Sequence, residues 1–281
     1  MQQELQYPAR ILVRGYFRPE DIVLENIPLP EFPSQIQQEI DDNWARELKI
    51  NPNLRNGPLL AGLKFDVESY HGLPTRIRLT CSASNYKNFM GTTREEFVHE
   101  DLRHRAIGIM AITKTRDGYL MLGVRSPRID WGTLRHVIPA GRLRPNEDPY
   151  SGITAEYKEE LGLIAEEIHG LQCIGVVCEE SWGRLNYEFV FRANTSLTAR
   201  QLTERAKTAK SAGEHSQLEP FPFRENFMRE LLLADPNGFV PTGWAGLALC
   251  LIVRPWDFPE WTPCHRSYEE HMGRRLEMLR K

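Results

Sequence analysis

GRLRPNEDPYSGITAEYKEELGL, residues 141 to 163, places glutamates at 147, 156, 159 and 160 between Gly141 and Gly162. Glu156, Glu159 and Glu160 stand at i, i+3 and i+4, so a helix carries all three carboxylates on one face. Like charges so placed repel one another by about 0.2–0.5 kcal/mol per pair, and an unliganded helix gains nothing from them. A divalent cation reverses that sign. Carboxylate oxygens are hard ligands that suit Mg²⁺ or Mn²⁺; such an ion neutralises phosphate charge and acidifies a bound water, and one glutamate is then free to act as base. Pro139-Ala140-Gly141 precedes the run, and a glycine there lets the backbone come close enough for its carbonyl to serve as a ligand. A lone run of glutamates is most often a solvated helix face. Here the spacing of the whole stretch, with a glycine at each end, favours the catalytic reading.

The stretch resembles the Nudix box, GX5EX7REUXEEXGU with U bulky and apolar, through Gly141, Glu147, Glu156, Tyr157, Glu159, Glu160, Gly162 and Leu163. Ala155 departs from it, because the family has arginine there. That arginine orients the helix glutamates and pairs with the residue equivalent to Glu147, so the support role of Glu147 is open. The resemblance implies an α/β fold, an α/β/α sandwich with a mixed sheet. It also implies Glu156 as ligand or base, Glu159 and Glu160 as metal ligands, and the Gly141 carbonyl as a further ligand, with Mg²⁺ or Mn²⁺ as cofactor.

Working outward, 106–114 (AIGIMAITK) and 119–125 (YLMLGVR) read as strands joined by a turn at Asp117-Gly118. After 134–139 and the box come strand patterns near 171–178 and 186–193, and helical patterns at 198–208, 223–234 and 243–253. In the strand at 186–191, Tyr187, Phe189 and Phe191 share one face and Glu188 takes the other. Glu214 and Glu219 fall in an expected loop, and 216–223 (SQLEPFPF) reads as a Pro-marked turn. Arg125, Arg128 and Arg135 flank Trp131. Guanidinium forks suit phosphate oxygens and an indole can stack on a base, so Arg125, Arg128 and Trp131 are candidate substrate contacts.

The first hundred residues lack a catalytic cluster. Residues 10–17 predict a strand and Pro28 to Pro33 a connector. Ser34 with Gln37 forms a capping-box pattern ahead of Ile36, Ile40, Trp44 and Leu48, one buried helix face. Leu63, Phe65 and Val67 alternate against Ile77, Leu79 and Cys81, a hairpin turning near His71-Gly72. The Trp44 helix with the segment Tyr86-Lys87-Asn88-Phe89-Met90-Gly91-Thr92 is similar to the extension of animal Nudix enzymes that hydrolyse UDP-glucose and UDP-galactose. That resemblance marks Tyr86 and Lys87 as substrate contacts. The expected division is an α+β extension over 1–103 docked on a Nudix domain over 104–255, followed by a tail over 256–281.

Composition narrows the classes. A net charge of −3 gives no basic field for nucleic acid, and no run of 18 apolar residues offers a membrane span. Cys81, Cys173, Cys178, Cys250 and Cys264 are scattered and odd in number, which fits reduced thiols better than disulfides or zinc. No secretory signal opens the sequence, so the expected location is the cytoplasm or another reducing compartment. The leading expectation is a Mg²⁺-dependent diphosphatase releasing UMP and sugar 1-phosphate from a UDP-sugar, with a small nucleotide as partner and neither nucleic acid nor membrane. A dinucleotide such as ADP-ribose or NADH is the alternative substrate. A non-catalytic nucleotide-binding module is the alternative class.

Overall fold

The apolar run at 105–114 sits at the centre of one mixed sheet. The computed structural model describes residues 9–29, 31–93, 97, 99, 102–127, 132–179 and 186–253. Its strands are β1 (Ala9–Phe17), β2 (Ile22–Asn26), β3 (Pro58–Tyr70), β4 (Leu73–Asn85), β5 (Arg105–Lys114), β6 (Tyr119–Arg125), β7 (Arg135–Val137), β8 (Ala140–Arg142), β9 (Ile168–Glu179), β10 (Asn186–Thr195) and β11 (His215–Pro222). The helices are α1 (Ser34–Ile50), α2 (Tyr86–Thr92), α3 (Pro149–Leu161), α4 (Ala199–Ala206), α5 (Glu225–Ala234) and α6 (Pro241–Ile252). The main path runs β1-β9-β10-β5-β3-β4-β2. β10 lies parallel to β5, β9 and β3 antiparallel to their neighbours, and the short β8 runs against β5 from Gly108 to Met110. Burial on both faces explains why β5 reads as a nearly unbroken apolar string.

The sheet cannot lie flat. Six spacings of about 4.8 Å would hold β1 and β2 roughly 29 Å apart, whereas the link from Phe17 to Ile22 reaches at most roughly 18 Å. The path therefore rolls up, and β1 comes to touch β4. Val13, Phe17, Ile77, Leu79, Ile107, Tyr187 and Phe189 fill one continuous core on its inner face, together with Ile153, Tyr157 and Leu202 of α3 and α4. The opposite face, with Met110, Ile112, Val177 and Val190, packs on α5 and α6. Helices thus flank both faces of a mixed sheet, as the sequence predicts.

The first hundred residues join the rest through backbone ladders: β1 pairs with β9, and β3 with β5 at Ala61 and Gly62. The hairpin turns at His71-Gly72, whose φ values of 50° and 78° suit a two-residue turn. Phe65 faces Leu79 and Val67 faces Ile77.

Three local expectations change. Ser34 is the first helical residue rather than the cap; Pro33 holds the cap position without a side-chain bond, and Gln37 donates to Asp41 Oδ1 (2.7 Å) instead of closing a capping box. Residues 216–223 are not a turn. They belong largely to β11, which pairs with β6 from Tyr119 to Arg125, and as an edge strand it tolerates Pro220 and Pro222. Glu219 accordingly sits in a strand, not a loop, and accepts from Arg135 Nε at 2.8 Å. Cys81, Cys173, Cys178 and Cys250 are buried thiols outside any disulfide; Arg128, Trp131, Cys264 and the tail at 256–281 lie outside the described residues.

Candidate active site

Asp148 starts α3 by accepting from the backbone N–H groups of Tyr150 and Ser151, Pro149 occupies the first helical position, and Gly162 ends the helix at φ 65°. Tyr157 points into the core, where its hydroxyl meets Thr113 Oγ1 at 2.8 Å and ties α3 to β5. That anchoring fixes which face of α3 meets the loop before the box. Glu156 lies over Gly141, where any Cβ would collide with its carboxylate. Glu160, 3% exposed, accepts from the Ala140 N–H (3.2 Å) through Oε1 and bonds His215 Nε2 (3.0 Å) through Oε2.

Burial pushes Glu156 up to about 8, reinforced by the negative charges of Glu160, Glu159 and Glu214. Burial and then Glu214 push Glu160 to about 8 as well. Burial takes His215 down to about 4, so a neutral ring meets Glu160 Oε2 through Nε2. Glu159 is turned to the flank, against Lys210 (2.8 Å) and Arg144 (3.7 Å), and the lysine holds its carboxyl below the ordinary range. Arg144 also reaches Glu147 (3.8 Å), whose Oε2 accepts the Arg144 N–H at 2.8 Å. The partner that Ala155 cannot offer Glu147 is thus supplied three residues earlier in the chain.

A cleft of about 120 Å³ opens beside Gly141, lined by Arg125, Arg142, His136, Glu179, Asn186, Glu188, Glu214 and Thr242. A second cavity, about 270 Å³, lies at Glu160 with Thr203, Lys207 and His215 in its wall. Of these two cavities, the first is lined by Gly141 and by arginines and the second is not. Arg142 stacks over the rings of Tyr86 (5.0 Å) and Phe89 (5.5 Å), linking α2 to the cleft. Lys87 pairs with Asp41 of α1 at 2.7 Å, so the structure does not bring its ammonium together with the cleft residues. Arg135 is likewise occupied, bridging Glu219 and Asp235.

The donor set fits a divalent cation. Two buried carboxylates oppose each other next to a glycine cradle that any side chain would fill. No closed cage of three acidic, histidine or cysteine side chains forms among the described residues. Mg²⁺ does not require one, since it binds through one or two carboxylates and keeps waters and substrate oxygens.

Sequence reasoning missed Arg142, Glu179, Asn186, Thr242 and His215. The alternation of β10 holds a signal for Asn186, which shares with Glu188 the face opposite Tyr187 and Phe189. Arg142, Glu179 and His215 are brought in by pairing of strands distant in sequence, and Thr242 by the packing of α6 on the sheet.

Among solved structures, the chain is similar to the E. coli ORF135 protein at 20% identity, covering 54% of this chain and 95% of that one, with a TM-score of 0.36. A C. elegans Ap4A hydrolase matches at 16% identity over 52% and 93%, TM-score 0.34. The NUDIX domain of Shewanella oneidensis NrtR, solved with ADP ribose, matches at 14% over 45% and 79%, TM-score 0.33. No curated protein sequence matches the chain. The family model that does match is that of the NUDIX domain, and it covers residues 102–241, from just ahead of β5 to the first residue of α6.

Proposed function

We propose that the protein hydrolyses the diphosphate bond of a nucleoside diphosphate sugar, UDP-glucose or UDP-galactose, to UMP and sugar 1-phosphate. The observation that carries the hydrolytic reading is the meeting of Glu156 and Glu160 with Gly141 and Ala140 at the edge of an arginine-lined cleft. A divalent cation held by Glu156 and Glu160 would neutralise diphosphate charge and lower the pKa of a bound water. Arg125 and Arg142 stand where guanidinium forks can take the phosphate oxygens. Glu214, close enough to raise both box carboxylates, can accept the proton of the attacking water. The UDP-sugar reading is supported by the resemblance of the Trp44 helix and the Tyr86 segment, and by the stacking of Tyr86 on Arg142.

A panel of UDP-glucose, UDP-galactose, ADP-ribose and NADH with Mg²⁺, followed by released phosphomonoester, tests it. UDP-sugars are expected to turn over fastest, with EDTA abolishing activity and Mg²⁺ or Mn²⁺ restoring it. Preference for ADP-ribose or NADH would move the substrate, and full activity in EDTA would remove the cation.

A further inference from the structure

Three strands set side by side place Glu188, Gly108 and Arg142 in one row across the sheet. Gly108 has no side chain, and the Glu188 carboxylate lies over it; a Cβ there would collide with Cγ. The Thr242 hydroxyl, in the first turn of α6, bonds the carboxylate, yet Oε2 is buried without a partner. One ladder step away, Asn186 faces Glu179 across β9 and is 7% exposed. The amide is turned so that Nδ2 donates to Glu179 Oε2 at 3.2 Å. Asn186 Oδ1 is therefore the atom left over, and it too is buried without a partner. Both residues line the arginine cleft. Buried acceptors left unpaired destabilise a fold, which is why such atoms ordinarily have partners.

We propose that Glu188 and Asn186 determine specificity by accepting hydrogen bonds from O–H or N–H groups on the organic part of the substrate, next to the phosphates held by Arg125 and Arg142. The ligand class is a phosphate ester whose sugar or base offers two donors, and an analogue without them leaves both oxygens unpaired. The assignment rests on the hydrolytic reading of the cleft. It differs from that reading in its observable, because binding of products can be measured without turnover.

The test is calorimetric titration of the full chain with Mg²⁺ and inorganic pyrophosphate, glucose 1-phosphate or UMP, for wild type, Glu188→Met and Asn186→Leu. The expected result is an affinity loss of about tenfold or more for glucose 1-phosphate, for UMP or for both, with pyrophosphate unchanged. A loss confined to glucose 1-phosphate assigns the donors to the sugar, and one confined to UMP to the nucleoside. Glu188→Met is expected to unfold at or above the wild-type temperature, since it removes a buried unpaired oxygen. If that variant fails to fold, Asn186→Leu carries the test. Equal losses for pyrophosphate, no loss for either ester, or no binding of either ester to wild type overturns the assignment. A wild type that cleaves no diphosphate but shows the selective loss keeps the acceptors and discards the hydrolase.

Discussion

Glu160 works against the fold that holds it, because a carboxylate buried beside Glu214 is costly to ionise. Glu160→Gln keeps the volume, so turnover is expected to fall roughly a hundredfold or more while the melting temperature holds or rises. Activity assay and thermal denaturation on one preparation check both halves; wild-type turnover would remove Glu160 from the site. Arg144 offers a sharper test, since it bridges Glu147 and Glu159 from a half-exposed position. Arg144→Ala is expected to lower kcat/KM a few-fold, and Ala155→Arg in the same chain to restore it. Ala155→Arg alone should be close to neutral. A double-mutant cycle measures the coupling, and strictly additive effects would mean the two positions do not substitute for one another. The glutamates were legible because helical spacing is written in the sequence. Arg144 was not, because its role depends on a loop conformation that brings it back over Glu147.

At the scale of elements, α3 was legible from the i, i+3, i+4 spacing of its glutamates and β10 from the alternation of 186–191, whereas the Asp148 cap that starts α3 went unread. β11 was not, since Pro220 and Pro222 signal a turn and only pairing with β6 makes them an edge strand. The pairing of Lys87 with Asp41 was hidden for a related reason: Asp41 sits on α1, and sequence spacing says nothing about how two helices meet. His104, just before β5, is 2% exposed, touches Ser84 Oγ at 2.6 Å and is taken down to about 4 by burial. Its folded pKa lies below the ordinary 6.5, so its contribution to stability is present above that pH and is lost as pH falls toward about 4. His104→Asn keeps a polar atom near Ser84 without titrating. Between those pH values wild type should lose unfolding free energy faster than the variant, by up to ~1.4 kcal/mol per pH unit. Urea unfolding over a pH series reads the difference; parallel curves would show that His104 titrates normally.

For the whole molecule, the ring stacking of Tyr86 on Arg142 is where the first hundred residues reach the cleft. Tyr86→Ala is expected to raise KM for UDP-glucose several-fold with little change in kcat, while Tyr86→Phe, which keeps the ring, behaves as wild type. Steady-state kinetics separate the two; equal effects of both variants would assign the phenotype to the hydroxyl. Rolling of the sheet, which pairs Ala9 with Glu179 and Phe17 with Cys173, also sets a timetable for synthesis. A ribosome adding roughly 5–20 residues per second needs on the order of ten to thirty seconds to produce β9 after β1 has emerged. Throughout that interval β1 has no ladder to join, so a strand made well before its partner is among the last to be locked in place.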